Sequence, residues 1–273
     1  MNIKKWSLFA VIGMLVAALA LFGCSSGGDK PASDSGSSDN AGSTESGYTL
    51  INDGKLTVAA SLDFPPFENL NGSTPEGFEV ELMQAIAEEM GLECEYLPST
   101  KFDTIVPLIQ SGGKADVGVS GLTITDERLE QIDFTEPVCD VNQSITVLKD
   151  SGITDVNQLE GKKVGAQTGT TGYEWAAENI KDVEMVGFDE MTAVYAALQS
   201  GQIDAIAVDL PVGNYYVKTA YTDCEVIKEI PTGEQYAIAV SKENPELTKA
   251  LNEALKAVRD SGKYDEIASK WIQ

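Results

Sequence analysis

The chain contains no histidine among its 273 residues. Histidine is the usual general base beside a Ser or Cys nucleophile, and it is the commonest zinc ligand. Its absence excludes Ser–His and Cys–His catalysis. Cysteine is also scarce, with four residues and no CxxC pair. The sequence therefore predicts neither a metal site nor a cofactor.

Basic residues are few. The chain has 19 Lys and Arg against 43 Asp and Glu, which gives a formal net charge of −24. Nucleic acid and anionic lipid both need clustered Lys and Arg, so neither is an expected partner on electrostatic grounds. The apolar share of 42% is ordinary and permits a sizeable core. The length suits one large domain or two modest lobes.

Long apolar runs are absent except at the start of the chain. Residues 8–22 form such a run after Lys4 and Lys5, but a spanning helix needs about 20 residues. This pattern predicts a signal peptide over residues 1–23. The following Gly-Cys step resembles a bacterial lipobox, which implies lipidation (palmitate) of Cys24. The alternative is an uncleaved N-terminal anchor.

Residues 24–50 are rich in Ser, Gly, Asp and Asn and lack an apolar pattern. Such a composition predicts a flexible tether. A lipidated Cys24 followed by a tether would hold a globular body at the extracytoplasmic face of the cell membrane. Beyond it lie Cys94, Cys139 and Cys224, which can form one internal disulfide at most.

Apolar periodicity alternates between strand and helix spacing. One series of alternating strands and helices runs over residues 55–119, and a second series runs over residues 161–208. A strand at 235–240 and helices at 246–260 and 263–271 complete the chain. Alternating elements predict an α/β fold with parallel sheets, whose binding sites lie at the carboxyl ends of the strands. Two such series, followed by a strand that returns to the first, indicate two lobes between which the chain crosses twice.

The segment that follows the buried strand at 115–119 is the first candidate site. It presents hydroxyls and the start of a helix, and Arg128 comes five residues after Thr123. A helix N-terminus and a guanidinium fork both suit a carboxylate. The alternative is a surface arginine that caps a helix or pairs with Glu127 or Glu130.

Other segments add candidates. In the proline-containing loop after the first strand, we expect Phe64 to face a ligand and Phe67 to fill the space beneath the loop. The Gly/Thr loop at 167–172 suits a polar or anionic ligand, although such loops are often only tight turns. Asp209 ends an apolar strand, so it is either the N-cap of a helix that begins at Pro211 or a ligand carboxylate.

Taken together and in order, the motifs resemble those of the family 3 bacterial extracellular solute-binding proteins, the amino-acid receptors of ABC importers. The likeness covers about residues 56–271, and its motifs lie at 63–68, 77–82, 120–128, 132–137, 161–165, 201–205 and 262–271. The resemblance implies a two-lobe, type 2 periplasmic-binding-protein fold with two hinge crossings. Lobe 1 would hold residues 51–139 and 237–273, and lobe 2 residues 140–236.

The resemblance also implies roles for the site residues. Arg128 would take the α-carboxylate of an amino acid, Asp209 its α-ammonium, and Phe64 and Phe102 would flank its side chain. The hinges would lie near residues 138–142 and 232–236. The implied ligand-binding residues are Ser61, Phe64, Phe102, Ser120, Gly121, Thr123, Arg128, Gln167, Thr170, Thr171 and Asp209.

Departures from the family pattern bear on the ligand. Ser61 stands where relatives for basic amino acids often carry an acid, and Gln167 stands where a glutamine binder can place a lysine. A neutral polar, glutamine-like amino acid is therefore expected. Val138 and Cys139 replace the usual aromatic pair of the first hinge.

The predicted function is a monomeric receptor that captures a free amino acid by lobe closure and delivers it to an ABC permease. A dehydratase-type enzyme on the same fold is one alternative, but catalysis needs a free general acid or base. Without histidine, and with Asp209 bound to ammonium, no enzyme is expected. A sensor lipoprotein that presents ligand to a separate receptor is the other alternative.

Overall fold

The computed structural model describes residues 47–272. The predicted signal peptide, the lipidation at Cys24 and the tether up to residue 46 lie outside the described residues. Within the described range, none of the helices combines the length and apolar character that a membrane span requires.

The elements of the first half of the described chain alternate between strands and helices. They are β1 (Lys55–Ala59), β2 (Asp63–Phe64), β3 (Glu68–Asn71), β4 (Thr74–Glu76), α1 (Phe78–Glu89), β5 (Glu93–Tyr96), α2 (Phe102–Ser111), β6 (Val117–Gly118), α3 (Asp126–Gln131) and β7 (Asp133–Phe134).

The second half contains the two longest strands. Its elements are β8 (Cys139–Leu148), a 3₁₀ turn (Val156–Leu159), β9 (Lys163–Gln167), α4 (Thr171–Asn179), β10 (Glu184–Phe188), α5 (Met191–Gln199), β11 (Ala205–Asp209), α6 (Leu210–Thr219), β12 (Cys224–Tyr236), β13 (Ala239–Val240), α7 (Pro245–Asp260) and α8 (Lys263–Trp271).

Two five-stranded sheets organise the fold. The first has the strand order β5-β1-β6-β13-β7 and the second β10-β9-β11-β8-β12. We call the first sheet with its helices α1–α3, α7 and α8 lobe 1, and the second sheet with α4–α6 lobe 2. Helix α1 buries Leu82, Met83 and Ile86 and packs against α7 and α8, as expected for an amphipathic helix. The predicted two-lobe α/β fold is confirmed.

The sheets are mixed rather than parallel throughout. β1 runs parallel to β5 and β6, and β9 runs parallel to β10 and β11, but β7, β8, β12 and β13 enter antiparallel pairs. The expectation of wholly parallel sheets is wrong for these strands. β8 carries the chain into lobe 2 and β12 carries it back, so the two must run in opposite directions.

The two crossings form a single antiparallel ladder. β8 and β12 pair from Cys139↔Tyr236 to Leu148↔Cys224, and the register shifts at 231–233. Just before the ladder, the Val138 N–H donates to the Tyr236 carbonyl at 2.7 Å. The single strand predicted at 235–240 is in fact the end of β12 followed by the separate strand β13.

A small third sheet, β2-β3-β4, lies outside the predicted elements. Its strands are two to four residues long, too short for an alternation that can be read from sequence. The three cysteines within the described residues, Cys94, Cys139 and Cys224, are free thiols. No group of His, Cys, Asp or Glu within residues 47–272 is arranged to hold a metal ion.

Two buried glutamates lie in the core of lobe 1. Glu68 and Glu79 are 0% and 1% exposed. Among the described residues, both Glu68 carboxyl oxygens and the Oε1 atom of Glu79 meet no N–H or O–H donor. Burial, reinforced by the nearby Glu79, raises the pKa of Glu68 well above its ordinary value. A neutral Glu68 can therefore donate its proton toward Glu79, whose Oε2 atom binds the backbone elsewhere.

This pair predicts that stability falls as the pH rises. Above the ordinary pKa of a glutamate, the unfolded state has lost the proton that folded Glu68 keeps, so the free energy of unfolding decreases with pH. The loss is at most about 1.4 kcal/mol for each pH unit. We expect Glu68→Gln to make this decrease less steep, as measured by chemical denaturation between roughly pH 5 and pH 8, while Asp209, whose pKa is also raised, keeps its own contribution.

Glu89→Gln supplies the control, since Glu89 lies exposed at the end of α1. It should leave the pH profile of the wild-type protein unchanged. A Glu68→Gln variant that loses stability with pH as steeply as the wild type would contradict the assignment of a retained proton to Glu68.

Candidate functional site

The turn after β6 is held in an unusual backbone conformation. Ser120 has φ 135° and Gly121 has φ 58°, and the first of these is costly for a residue with a side chain. The Glu79 Oε2 atom accepts from both backbone N–H groups, at 3.0 and 2.9 Å. The Ser120 hydroxyl also accepts from the Ser61 N–H at 2.7 Å. These buried bonds hold the predicted carboxylate-binding corner in place.

Gly121 is required here by space as well as by its positive φ. A Cβ atom at this position would lie 2.8 Å from the Phe64 ring and 2.9 Å from the Tyr236 ring. Phe64 is buried and stacks on Phe67, with 6.1 Å between ring centroids. Phe64 therefore packs directly against the corner, and Phe67 packs against Phe64 and Tyr236 behind it. The expectation that Phe64 faces a ligand stays a prediction.

Arg128 is buried, with 9% of its surface exposed. Its guanidinium donates to the Thr123 carbonyl at 2.7 Å and, across to lobe 2, to the Gly169 carbonyl at 2.9 Å. It also lies 5.5 Å from the Phe102 ring centroid. Burial lowers the pKa of Arg128, while Glu174, Asp209 and Glu234 raise it.

The alternative of a surface arginine therefore does not describe Arg128. Within residues 47–272 it forms no ion pair with Glu127 or Glu130. The start of α3 is capped instead by Thr125, whose hydroxyl accepts from the Arg128 backbone N–H at 3.2 Å.

In the Gly/Thr loop of lobe 2, most polar side chains hydrogen-bond to the backbone of lobe 2 itself. The Thr170 hydroxyl caps α4 through the Tyr173 N–H and donates to the Gln167 carbonyl at 2.7 Å. The Gln167 amide donates to the Asp189 carbonyl at 2.9 Å. Thr171 differs, because its hydroxyl donates to Glu234 on the second hinge strand at 2.6 Å and accepts from the Gln143 amide on the first at 3.2 Å.

Asp209 is buried at the end of β11, opposite Gln143 of β8 in the antiparallel register. The Gln143 amide donates to the Asp209 Oδ1 atom at 2.8 Å. Asp209 occupies the N-cap position of α6, but its side chain caps no N–H. Burial and the neighbouring Glu234 raise its pKa to about 7, while Tyr236 and Gln143 oppose the shift.

Glu234 and Gln143 are site residues that the sequence did not predict. The Glu234 Oε2 atom accepts from the Thr123 hydroxyl at 3.0 Å, the Thr171 hydroxyl at 2.6 Å and the Gln143 amide at 3.2 Å. Glu234 lies within the hinge predicted at 232–236, and this position was the one feature of the sequence that could have indicated a place near the site. Gln143 precedes the apolar run of its strand and gave no signal of its own.

The lobes also meet at the mouth of the cleft. Asp63 of lobe 1 accepts from the Met191 N–H at 2.7 Å, at the start of α5, and its backbone carbonyl accepts from the Tyr216 hydroxyl at 2.9 Å. The Ser61 hydroxyl donates to the other Asp63 carboxylate oxygen at 2.8 Å. Ser61 thus supports Asp63, which makes the contact between the lobes. An exposed ion pair between Lys101 and Asp189 also joins the lobes.

The cleft therefore brings charges of opposite sign together from the two lobes. Arg128 belongs to lobe 1 and Asp209 to lobe 2, and hydrogen bonds through Thr123, Glu234 and Gln143 connect the two. A cavity of about 180 Å³ opens beside Arg128, between α2, α3 and α4. The site residues described above provide hydrogen-bond donors that suit a carboxylate and an acceptor that suits an ammonium. None of these site residues forms a nucleophile–base pair.

Comparison with known proteins gives a consistent result. Residues 56–273 match the family described as bacterial extracellular solute-binding proteins, family 3. A probable histidine-binding protein of Neisseria gonorrhoeae is 32% identical over 100% of this chain and 97% of its own length. The glutamine-binding protein GlnH of an ABC transporter in Bacillus subtilis (strain 168) is 31% identical over 99% of this chain and 98% of its own.

Solved structures agree with this placement. An ancestral arginine-binding protein bound to arginine is 38% identical, with a TM-score of 0.76, and the match covers 81% of this chain and 99% of that one. The curated relatives are binding proteins of transport rather than enzymes, so the prediction that this chain is not an enzyme is confirmed. The resemblance inferred from the motifs is confirmed as well: the chain belongs to the family 3 bacterial extracellular solute-binding proteins.

Proposed function

We propose that the protein captures a free amino acid between its lobes and delivers it to an ABC permease. One observation carries the proposal: buried Arg128 on lobe 1 and buried Asp209 on lobe 2 are joined by one hydrogen-bond network through Thr123, Glu234 and Gln143. An amino acid carries a carboxylate and an ammonium a short distance apart. It can therefore satisfy both buried charges at once, which a simple anion or cation cannot do.

In the proposed complex, the Arg128 fork binds the α-carboxylate and the hydroxyls of Thr123 and Thr171 assist it. Asp209 takes the α-ammonium. Lobe closure removes water, and charge-assisted hydrogen bonds strengthen where the surroundings are less polar. Because the ligand makes its full set of contacts only when both lobes surround it, binding shifts the equilibrium toward the closed form.

For the side chain of the ligand we propose a neutral polar group, as in glutamine. The absence of an acid at Ser61 supports this, and the neighbouring Asp63 carboxylate is engaged with Met191 and the Ser61 hydroxyl. The relatives do not decide the matter, since their names specify histidine, glutamine and arginine. A thermal-shift screen of the twenty amino acids would rank the candidates.

We also propose that the protein acts as a monomer held at the extracytoplasmic face by lipid on Cys24, after removal of residues 1–23. The partition of strands between the two sheets supports lobe boundaries at residues 51–139 and 237–273 for lobe 1, and 140–236 for lobe 2.

Arg128→Ala should abolish the rise in melting temperature that a bound amino acid produces. Truncating one partner of such a charge pair costs roughly 2–5 kcal/mol, which corresponds to a loss of at least about thirtyfold in affinity. Arg128→Lys keeps the charge but loses the planar fork, so it should restore only part of the binding measured by isothermal titration calorimetry.

The matched control is Arg259→Ala, at the other arginine of the chain. Arg259 donates to the Pro137 carbonyl and lies over the Tyr264 ring, and none of its contacts in the described structure is with the site residues. This variant should bind as the wild type does. Full binding by Arg128→Ala would rule out its proposed role.

Amino-acid affinity should rise as the pH increases from roughly 6 to 8. Asp209, with a pKa of about 7, must be ionised to pair with ammonium, so below that pH the ligand has to displace a proton. The expected change is at most about tenfold for each pH unit. Calorimetry in buffers with different ionisation enthalpies would detect the proton released on binding.

Asp209→Asn should bind more weakly and should lose this pH dependence, because an amide does not titrate. An affinity that is flat with pH in the wild-type protein, or one that falls between pH 6 and 8, would contradict the assignment of the ammonium to Asp209.

A further inference from the structure

The Glu234 carboxylate binds the same two hydroxyls that the proposed function assigns to the α-carboxylate of the ligand. Its Oε2 atom accepts from Thr123 of lobe 1 at 3.0 Å and from Thr171 of lobe 2 at 2.6 Å. The Gln143 amide, on the first hinge strand, donates to the same atom at 3.2 Å. One oxygen atom of the chain therefore joins both lobes and the hinge.

The backbone fixes Glu234 beside this subsite. The register of β12 shifts at 231–233, immediately before Glu234 pairs with Val141, and such a bulge redirects the following side chain. On the far side, the Ile124 N–H donates to the Gln235 carbonyl at 2.9 Å, and the Ala237 N–H donates to the Leu122 carbonyl at 3.1 Å. These bonds tie the end of β12 directly to the loop that carries Thr123.

Competition follows from the chemistry of the groups. A threonine hydroxyl has one proton to donate, so a hydroxyl that donates to Glu234 is not available to a second carboxylate. Two carboxylates at one site also repel each other. Arg128 is not consumed by Glu234, since its guanidinium donates to the carbonyls of Thr123 and Gly169. It can therefore still attract an incoming carboxylate.

We propose that Glu234 is an affinity-determining residue that acts as an internal competitor for the ligand carboxylate. The α-carboxylate of the amino acid displaces Glu234 from Thr123 and Thr171, and until then the Glu234 contacts hold the two lobes together. This inference rests on the proposed function and adds to it the group that the ligand must replace.

The test is calorimetric titration of the wild type, Glu234→Gln and Glu234→Ala with glutamine, arginine and histidine. Glutamine at position 234 keeps the shape but removes the charge, whereas alanine removes the side chain. For every amino acid that the wild type binds, both variants should bind about tenfold more tightly, because the charge-assisted hydrogen bonds from Thr123 and Thr171 to Glu234 no longer have to be broken. The gain should not depend on the charge of the ligand side chain.

Glu229→Gln is the matched control. Glu229 is an exposed acid on the same strand, and its carboxylate accepts from the Asn142 amide. The substitution removes the same charge away from the two threonines, so it should leave all three affinities as in the wild type.

A second readout concerns the lobes themselves. Small-angle scattering before amino acid is added should give a larger radius of gyration for Glu234→Ala than for the wild type, and the two values should converge after saturation. A role confined to folding would lower the melting temperature without this ligand-dependent difference.

Several results would overturn the proposal. Unchanged affinity in both variants would show that Glu234 does not compete. Weaker binding would show that it contacts the ligand directly, and a loss confined to arginine would assign it to a cationic side chain. If neither the wild type nor the variants bind any amino acid, the proposed function fails, and the scattering comparison still decides whether Glu234 holds the lobes together.

Discussion

Strands β8 and β12 pair along their length as they carry the chain between the lobes, and the geometry of the site depends on that ladder. On one side of this ladder, β8 pairs with β11 and so sets Gln143 opposite Asp209; on the other, β12 brings Glu234 beside Thr123. Because the two crossing strands are hydrogen-bonded to each other, they hold these neighbours in register. The same strands thus serve as connection and as a wall of the cleft.

Lobe 1 stabilises its half of the site from behind. Glu79 accepts from the N–H groups of Ser120 and Gly121, and the neutral Glu68 next to it avoids a second buried negative charge. A strained turn persists only where its surroundings over-determine it. The two buried acids, although costly to bury, therefore help to hold the predicted carboxylate-binding corner in place, about 40 residues away in sequence from Glu79.

The site contains more acidic than basic side chains. Asp209 and Glu234 face a single buried cation, Arg128. The pKa of Asp209 rises because burial and Glu234 outweigh the favourable contacts with Tyr236 and Gln143. A zwitterion would bring one ammonium and one carboxylate into this set, and Glu234 is the group whose partners the new carboxylate would take.

The order and type of most elements could be predicted from the residue pattern alone. Helices predicted at 246–260 and 263–271 occur at Pro245–Asp260 and Lys263–Trp271, because apolar spacing reports on neighbours within one or two turns. The placement of Arg128 after a buried strand and of Asp209 at a strand end followed from the same local patterns. Both side chains are buried, while their roles toward a ligand stay predictions.

Which polar groups contact each other depends on the folded arrangement of the chain and could not be predicted from the residue pattern. Thr123 and Glu234 are 111 positions apart, and their contact requires a strand register, a bulge and a second crossing that no local pattern encodes. The same reason accounts for the antiparallel crossing strands, for the three unpaired cysteines and for Thr170, whose hydroxyl caps a helix. Hydrogen-bond partners of this kind depend on distances across sheets and lobes, which the spacing of residues along the chain does not specify.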